Sequence, residues 1–158
     1  MNKNTSSEKI CLFPGTFDPI TKGHIDLLIR AEALFDKIVI GIGKNSSKTP
    51  MFNLKQRIEW IEQIFKNHPK ISVTPYEGLT VDFCKDIAAN FILRGIRSVN
   101  DFEYEKAIAD MNRALHPEVE TYFLTSSPEF STVSSTLVRD VIRNGGNASL
   151  FLPEEIKW

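Results

Sequence analysis

The chain has 158 residues, 42% of them hydrophobic and 25% charged, with a formal net charge of −1. That composition suits one globular domain with a real core, and the near-neutral balance gives no general electrostatic reason to bind nucleic acid or an anionic membrane surface. Polar Met1 to Lys9 lacks the apolar stretch of a signal peptide, and no run approaches the roughly 20 apolar residues that span a bilayer, so a cytoplasmic protein is expected.

Taken in chain order, short β-rich apolar runs alternate with longer helical patterns. Ile10 to Phe13 reads as a strand, and Ile25, Leu28, Ile29 and Ala33 mark a helix after it. Lys37 to Ile42 is a second strand, followed by a helix through Leu54, Ile58, Ile61 and Phe65. Ile71 to Thr74 and then Val81, Cys84 and Ala88 give a third pair; Phe91 to Leu93 and then Tyr104, Ile108, Met111 and Leu115 give a fourth. Thr121 to Leu124 is the fifth strand. Its helix carries Leu137, Val138, Val141 and Ile142, capped by Ser134 or Ser135 and ended by Gly145-Gly146, and Pro153 starts a last short turn. Strands of this kind alternating with helices predict a doubly wound α/β fold on a five-stranded parallel sheet. No repeat or linker divides it, so residues 1–158 are expected to form one domain with 1–8 flexible. Cys11 and Cys84 lie in apolar runs, as buried free thiols in a reducing compartment would, and there the Asn-x-Ser/Thr matches at Asn4, Asn45 and Asn147 carry no glycan.

In such a sheet ligands bind outside the carboxyl ends of the strands, so the strand-to-helix loops should hold the chemistry. The first loop, Pro14 to His24, opens a helix whose amides and dipole favour an anion; Gly15 and Gly23 allow close approach, Thr16 offers a hydroxyl, and His24 points back toward the bound group. His68 and His116 each precede a proline at a helix end and receive no function. The second loop carries Lys44 and Lys48. Its Gly41-x-Gly43 fails as a dinucleotide fingerprint, because Ser46 stands at the third glycine position and no helix opens there, and no Walker A sequence occurs. In the fourth loop Arg94 and Arg97 close a buried strand, where a guanidinium is better suited to phosphate or carboxylate of a ligand than to a structural ion pair. The fifth, Phe130 to Thr136, supplies more hydroxyls and amides than capping needs, with Arg139 one turn on. Together these donors predict a local basic cleft for a ligand with several phosphates.

Thr21-x-Gly23-His24 resembles the (H/T)xGH signature of the nucleotidyltransferase superfamily, and Ser134-Ser135-Thr136 is similar to its second signature. Within it, Phe13 to Pro19, Ser47-Lys48-Thr49-Pro50-Met51-Phe52, Arg94 to Arg97, Asp101 to Glu105 and Met111-Asn112-Arg113 resemble the bacterial phosphopantetheine adenylyltransferase family over nearly the whole chain. Val133, Thr136 and Phe130 depart slightly from its pattern. The resemblance implies a Rossmann-like nucleotidyltransferase fold and reversible transfer of the adenylyl group of ATP to 4'-phosphopantetheine, giving dephospho-coenzyme A and pyrophosphate. It implies that Thr16 and His24 face the reacting phosphates, that His24, as transition-state stabiliser, and Lys48 are catalytic, and that Thr16, Lys48 and Arg94 bind the acceptor at its phosphate while Thr80 lines the pantetheine arm. The ATP side would comprise Thr16, Phe17, His24, Gly95, Ile96, Arg97, Glu105, Phe130, Ser131, Thr132, Val133, Ser134, Ser135 and Thr136. It further implies Mg²⁺ borne by substrate, with no protein metal site, and a homohexamer.

The expected chemistry is direct in-line attack of the acceptor phosphate on the α-phosphorus, without a covalent intermediate or a protein base, so Asp18 and Glu105 are not assigned as acids or bases. A nucleotidyltransferase acting on nicotinamide mononucleotide or glycerol phosphate is the nearest rival. A non-catalytic nucleotide-binding module is the rival from another class, and a hydride-transferring dehydrogenase is weaker for want of the glycine fingerprint.

Overall fold

The computed structural model describes residues 8–44 and 49–158. Five parallel strands, β1 (Ile10–Gly15), β2 (Lys37–Gly43), β3 (Ile71–Tyr76), β4 (Phe91–Ile96) and β5 (Glu120–Thr125), lie in the order β3-β2-β1-β4-β5. The crossovers are α1 (Lys22–Ala31), α2 (Leu54–Ile64), α3 (Thr80–Asp86) and α4 (Val99–Leu115), and α5 (Ser135–Arg143) follows β5. The expected doubly wound α/β sheet is therefore present. β1 and β3 run two residues further than their apolar runs and β4 three, because ladder bonding continues through Pro14-Gly15, Pro75-Tyr76 and Arg94 to Ile96, which apolar patterning does not mark.

Pleating sends alternate residues to opposite faces. Cys11 and Phe13 of β1, Ile38, Ile40 and Ile42 of β2, and Leu93 of β4 meet α1, α2, α5 and the C-terminal segment in one cluster. Ile10, Leu12, Val39 and Ile92 face a smaller cluster built on Val81, Phe83 and Cys84 of α3. Both cysteines are buried free thiols, and burial pushes the Cys84 thiol up to about 12, which makes it inert as a nucleophile.

Three helices end before their patterns do, α2 by one residue, with Phe65 as its C-cap. Residue Ala88 lies past α3 at φ +56°, and Ala33 lies past α1, so neither continues its helix. The end of α5 is as the glycine pair predicts: Gly145 sits at φ +72°, its amide bonds Ile142 O, and the Gly146 amide bonds Val141 O, the paired closure of a left-handed cap. Pro153 accepts from the Ile156 amide in the expected last turn. The apolar stripe of α4 behaves differently: α4 buries no residue, and Tyr104, Met111 and Leu115 are each more than half exposed.

The strand order reverses between β1 and β4. That junction is also where the sheet parts. β1 pairs with β2 from Ile10 to Gly15, yet it pairs with β4 only at Cys11 and Leu12, so the carboxyl halves of β1 and β4 diverge into a notch.

Candidate active site

A cleft of about 1460 Å³ opens over that notch, lined by all five strand-to-helix loops. Pockets for one drug-sized ligand occupy roughly 300–1,000 Å³, so this cleft has room for two substrates. A side cavity of about 430 Å³ adjoins it, sharing Thr16, Arg94 and Glu105 and extending past Tyr76, Thr80, Ile108 and Asn112.

His24 stands in the first turn of α1. Its Nδ1 accepts a hydrogen bond from the Thr21 amide at 3.1 Å, and since a backbone amide can only donate, the proton of the neutral ring is on Nε2. Loss of solvation, with the Arg97 and Arg94 charges adding to it, pushes its pKa down to about 4. The half-buried ring therefore lines the cleft as a neutral donor. Phe17 and Phe13 meet the imidazole edge-on at 5.2 and 6.2 Å between centroids. Phe17 is held at φ +46°, and its ring lies so near Gly15 that a Cβ there would come within 2.9 Å of it. Only glycine fits under that ring. The Lys22 amide donates to Phe151 O, so the helix start offers a ligand one amide fewer than the sequence suggests.

Arg94 donates from Nε and Nη2 to the two oxygens of Glu105 at 2.7 and 2.5 Å and from Nη1 to Pro14 O at 2.6 Å. Arg97 donates to Asp101 at 3.0 Å. Both guanidinium groups thus carry structural ion pairs, the arrangement the sequence reading ranked second. Arg94 and Glu105, expected on different substrates, form one pair at the boundary of the two cavities. An entering phosphate would compete with Glu105 for Arg94. Lys44, also on the cleft wall, pairs with Glu77 at 2.9 Å and holds that carboxyl below its ordinary value. Lys48 lies outside the described residues.

Of the remaining expected residues, Thr16, Phe17, Gly95, Phe130, Val133, Ser134, Ser135 and Thr136 line the cleft, while Ile96, Ser131 and Thr132 do not. Thr80 sits in the side cavity with its hydroxyl 2.9 Å from the Tyr76 hydroxyl. Ser134 caps α5 through the Leu137 amide, and Ser135 donates to Pro19 O at 2.7 Å.

The family model described as cytidylyltransferase-like matches residues 12–141. The phosphopantetheine adenylyltransferase of Flavobacterium psychrophilum is 51% identical over 146 residues, covering 92% of this chain and 96% of its own. That of Leptospira biflexa is 46% identical, covering 94% and 93%. The chain belongs to the phosphopantetheine adenylyltransferase family. A bifunctional NMN adenylyltransferase/ADP ribose pyrophosphatase from Francisella tularensis matches with a TM-score of 0.70 over 92% of this chain and 45% of its own. At 19% identity that likeness is one of fold alone.

Against this family background, the charged residues of the cleft wall that sequence reasoning passed over are Arg57, Glu77 and Arg143, while Asp18 and Arg139 were noted without their partners. Asp18 is buried and accepts from the Met51 and Phe52 amides at 2.8 Å each, tying the first loop to the end of the second. Arg139 donates to Asp18 O at 2.7 Å. Arg57 had a legible signal, since it falls three residues after Leu54 and four before Ile61, a cation on the apolar stripe of α2.

Proposed function

We propose that this cleft transfers the adenylyl group of ATP to 4'-phosphopantetheine, giving dephospho-coenzyme A and pyrophosphate in coenzyme A biosynthesis. The observation that carries the reading is a neutral His24 donor on the wall of a two-part cleft whose cationic side chains, Lys44, Arg57, Arg94, Arg97, Arg139 and Arg143, come from the ends of β2 and β4 and from α2 and α5. The names of the relatives supply the acceptor.

A phosphate dianion is already a nucleophile, so the chain needs to position and to stabilise charge. ATP would lie in the larger cleft with its phosphates toward α1 and α5, and the pantetheine arm in the side cavity past Thr80. The acceptor phosphate then falls at the shared wall of Thr16 and Arg94, with Lys48 as a further cation. In-line attack on the α-phosphorus places growing charge beside His24 Nε2–H, a donor already oriented by its bond to Thr21. Among the described residues no group of three His, Cys, Asp or Glu is placed to hold a metal ion. The carboxylates of Asp18 and Glu105 are engaged by amides and by Arg94. These residues fit magnesium that arrives on the ATP phosphates and neutralises them, without a cage of its own.

The reading extends to a cytoplasmic homohexamer that binds neither nucleic acid nor membrane. Among the described residues no helix is long and apolar enough to cross a membrane. The test is pyrophosphate release by pure protein with ATP and Mg²⁺ against a panel of acceptors. Release with 4'-phosphopantetheine far above that with nicotinamide mononucleotide or glycerol phosphate is expected; equal release with all three would refute the acceptor.

A further inference from the structure

Four carbonyl oxygens of the first loop are held by side chains from outside it: Pro14 O by Arg94, Thr16 O by Arg57, Asp18 O by Arg139 and Pro19 O by Ser135. Three of those donors have other partners or duties in their own elements. Arg57 is the exception. It is only 7% exposed, its Nη1 donates to Thr16 O at 2.5 Å, and its Nε has no partner among the described residues. Its burial disfavours the charge, and the nearby Asp18 charge offsets that only in part. Asp18 is meanwhile engaged by two amides, so no ion pair among the described residues accounts for Arg57.

A buried, incompletely bonded cation is expensive, and an apolar side chain on the apolar stripe of α2 would pack at least as well. What the guanidinium supplies is a fixed point for one atom, the carbonyl of Thr16. Thr16 is itself exposed at the cleft, and the next residue is Phe17, turned into the left-handed region with its ring on His24. The chain of contacts is therefore Arg57 to Thr16 O, Thr16 to Phe17, and Phe17 ring to His24 ring. Holding the carbonyl also removes its negative end from competition for the cleft that a triphosphate would enter.

We propose that Arg57 is a positioning residue for the reaction, acting through the Thr16 carbonyl and Phe17 to fix the donor of His24. The proposal rests on the adenylyl-transfer reading above. Because a single Nη1 bond carries the effect, lysine should largely replace arginine here, whereas methionine, similar in length and apolar, should not. Displacement of a positioned group by a fraction of an ångström lowers turnover by about ten- to a hundredfold. Arg57→Met should therefore lose about that much kcat per calorimetrically counted ATP site, with KM for ATP changed by less than about threefold, and Arg57→Lys should recover most of it. The His24 ring resonances, followed by NMR in the absence of substrates, should shift in Arg57→Met and return in Arg57→Lys. Native kcat per site in Arg57→Met with unmoved His24 resonances would overturn the proposal, as would an Arg57→Lys protein no better than Arg57→Met in both measurements. If wild-type protein released no pyrophosphate with 4'-phosphopantetheine, the proposed reaction would fall, and the resonance comparison alone would decide the role of Arg57.

Discussion

At His24 two environments act on one ring: the Thr21 amide fixes the tautomer, and desolvation with two neighbouring guanidinium groups removes the positive charge. The ring then contributes a hydrogen bond rather than an ion pair. Its value lies in the transition state, where removing one preorganised donor costs about 3 kcal/mol. His24→Ala should bind ATP nearly normally by calorimetry while turning over at least about a hundredfold more slowly; a folded variant with near-native kcat would leave the histidine as a helix-start residue. The same shift bears on acid stability. The ordinary value of 6.5 applies to the unfolded chain, so between about 4 and 6.5 the unfolded state holds a proton that the folded state lacks. Stability must fall as pH drops through that window and be unaffected by this group above it. Thermal unfolding of wild type should steepen in its acid dependence relative to His24→Gln between pH 6.5 and 4, and parallel curves would clear His24 of the effect.

Between elements, the first loop is defined less by its own sequence than by what reaches it. Asp18 takes two amides at the end of the second loop, a geometry that needs two acceptor oxygens. Asp18→Asn presents an amide group to one of those donors and leaves it unbonded, which should lower stability by about 1–3 kcal/mol in denaturant unfolding; an unchanged midpoint would mean that water replaces the bond. This contact also marks the limit of reading the chain alone. The parallel sheet was legible because Ile38, Val39 and Ile40 form a continuous apolar run, as do Cys11 to Phe13, and burial on both faces demands that pattern. The loops at the strand ends were legible as a phosphate site because Gly15, Gly23, His24 and the serines are costly or unusual where they stand. Which cation meets which partner was not legible. Arg94 and Glu105 are eleven residues apart, and Arg57 and Thr16 are forty-one apart. Nothing local in the sequence encodes those pairings, which arise only when β4, α2 and the first loop are packed together.

For the molecule as a whole, α4 is the element least explained by a single copy. A helix of 17 residues with no buried side chain, presenting Val99, Tyr104, Met111 and Leu115 to solvent, leaves apolar area of the kind that marks association between chains. Light scattering should give the mass of six copies, and Met111→Glu should shift it toward smaller species; a stable, fully active monomer of wild type would refute the assembly. The notch between β1 and β4 has a consequence of another kind, in time rather than in space. Past Leu12 and Ile92 the two strands no longer bond each other, so amides between Leu93 and Ile96 that face the gap lack a strand partner at the centre of the sheet, and Pro14 of β1 has no amide hydrogen to offer. Deuterium should enter these amides as it enters surface loops, while Cys11 and Ile40, fully buried in the same sheet, stay protonated for far longer. ATP seated over the gap should slow the first group and leave the second unchanged, so that occupancy of the cleft becomes readable as a local change of exchange clock within an otherwise closed core.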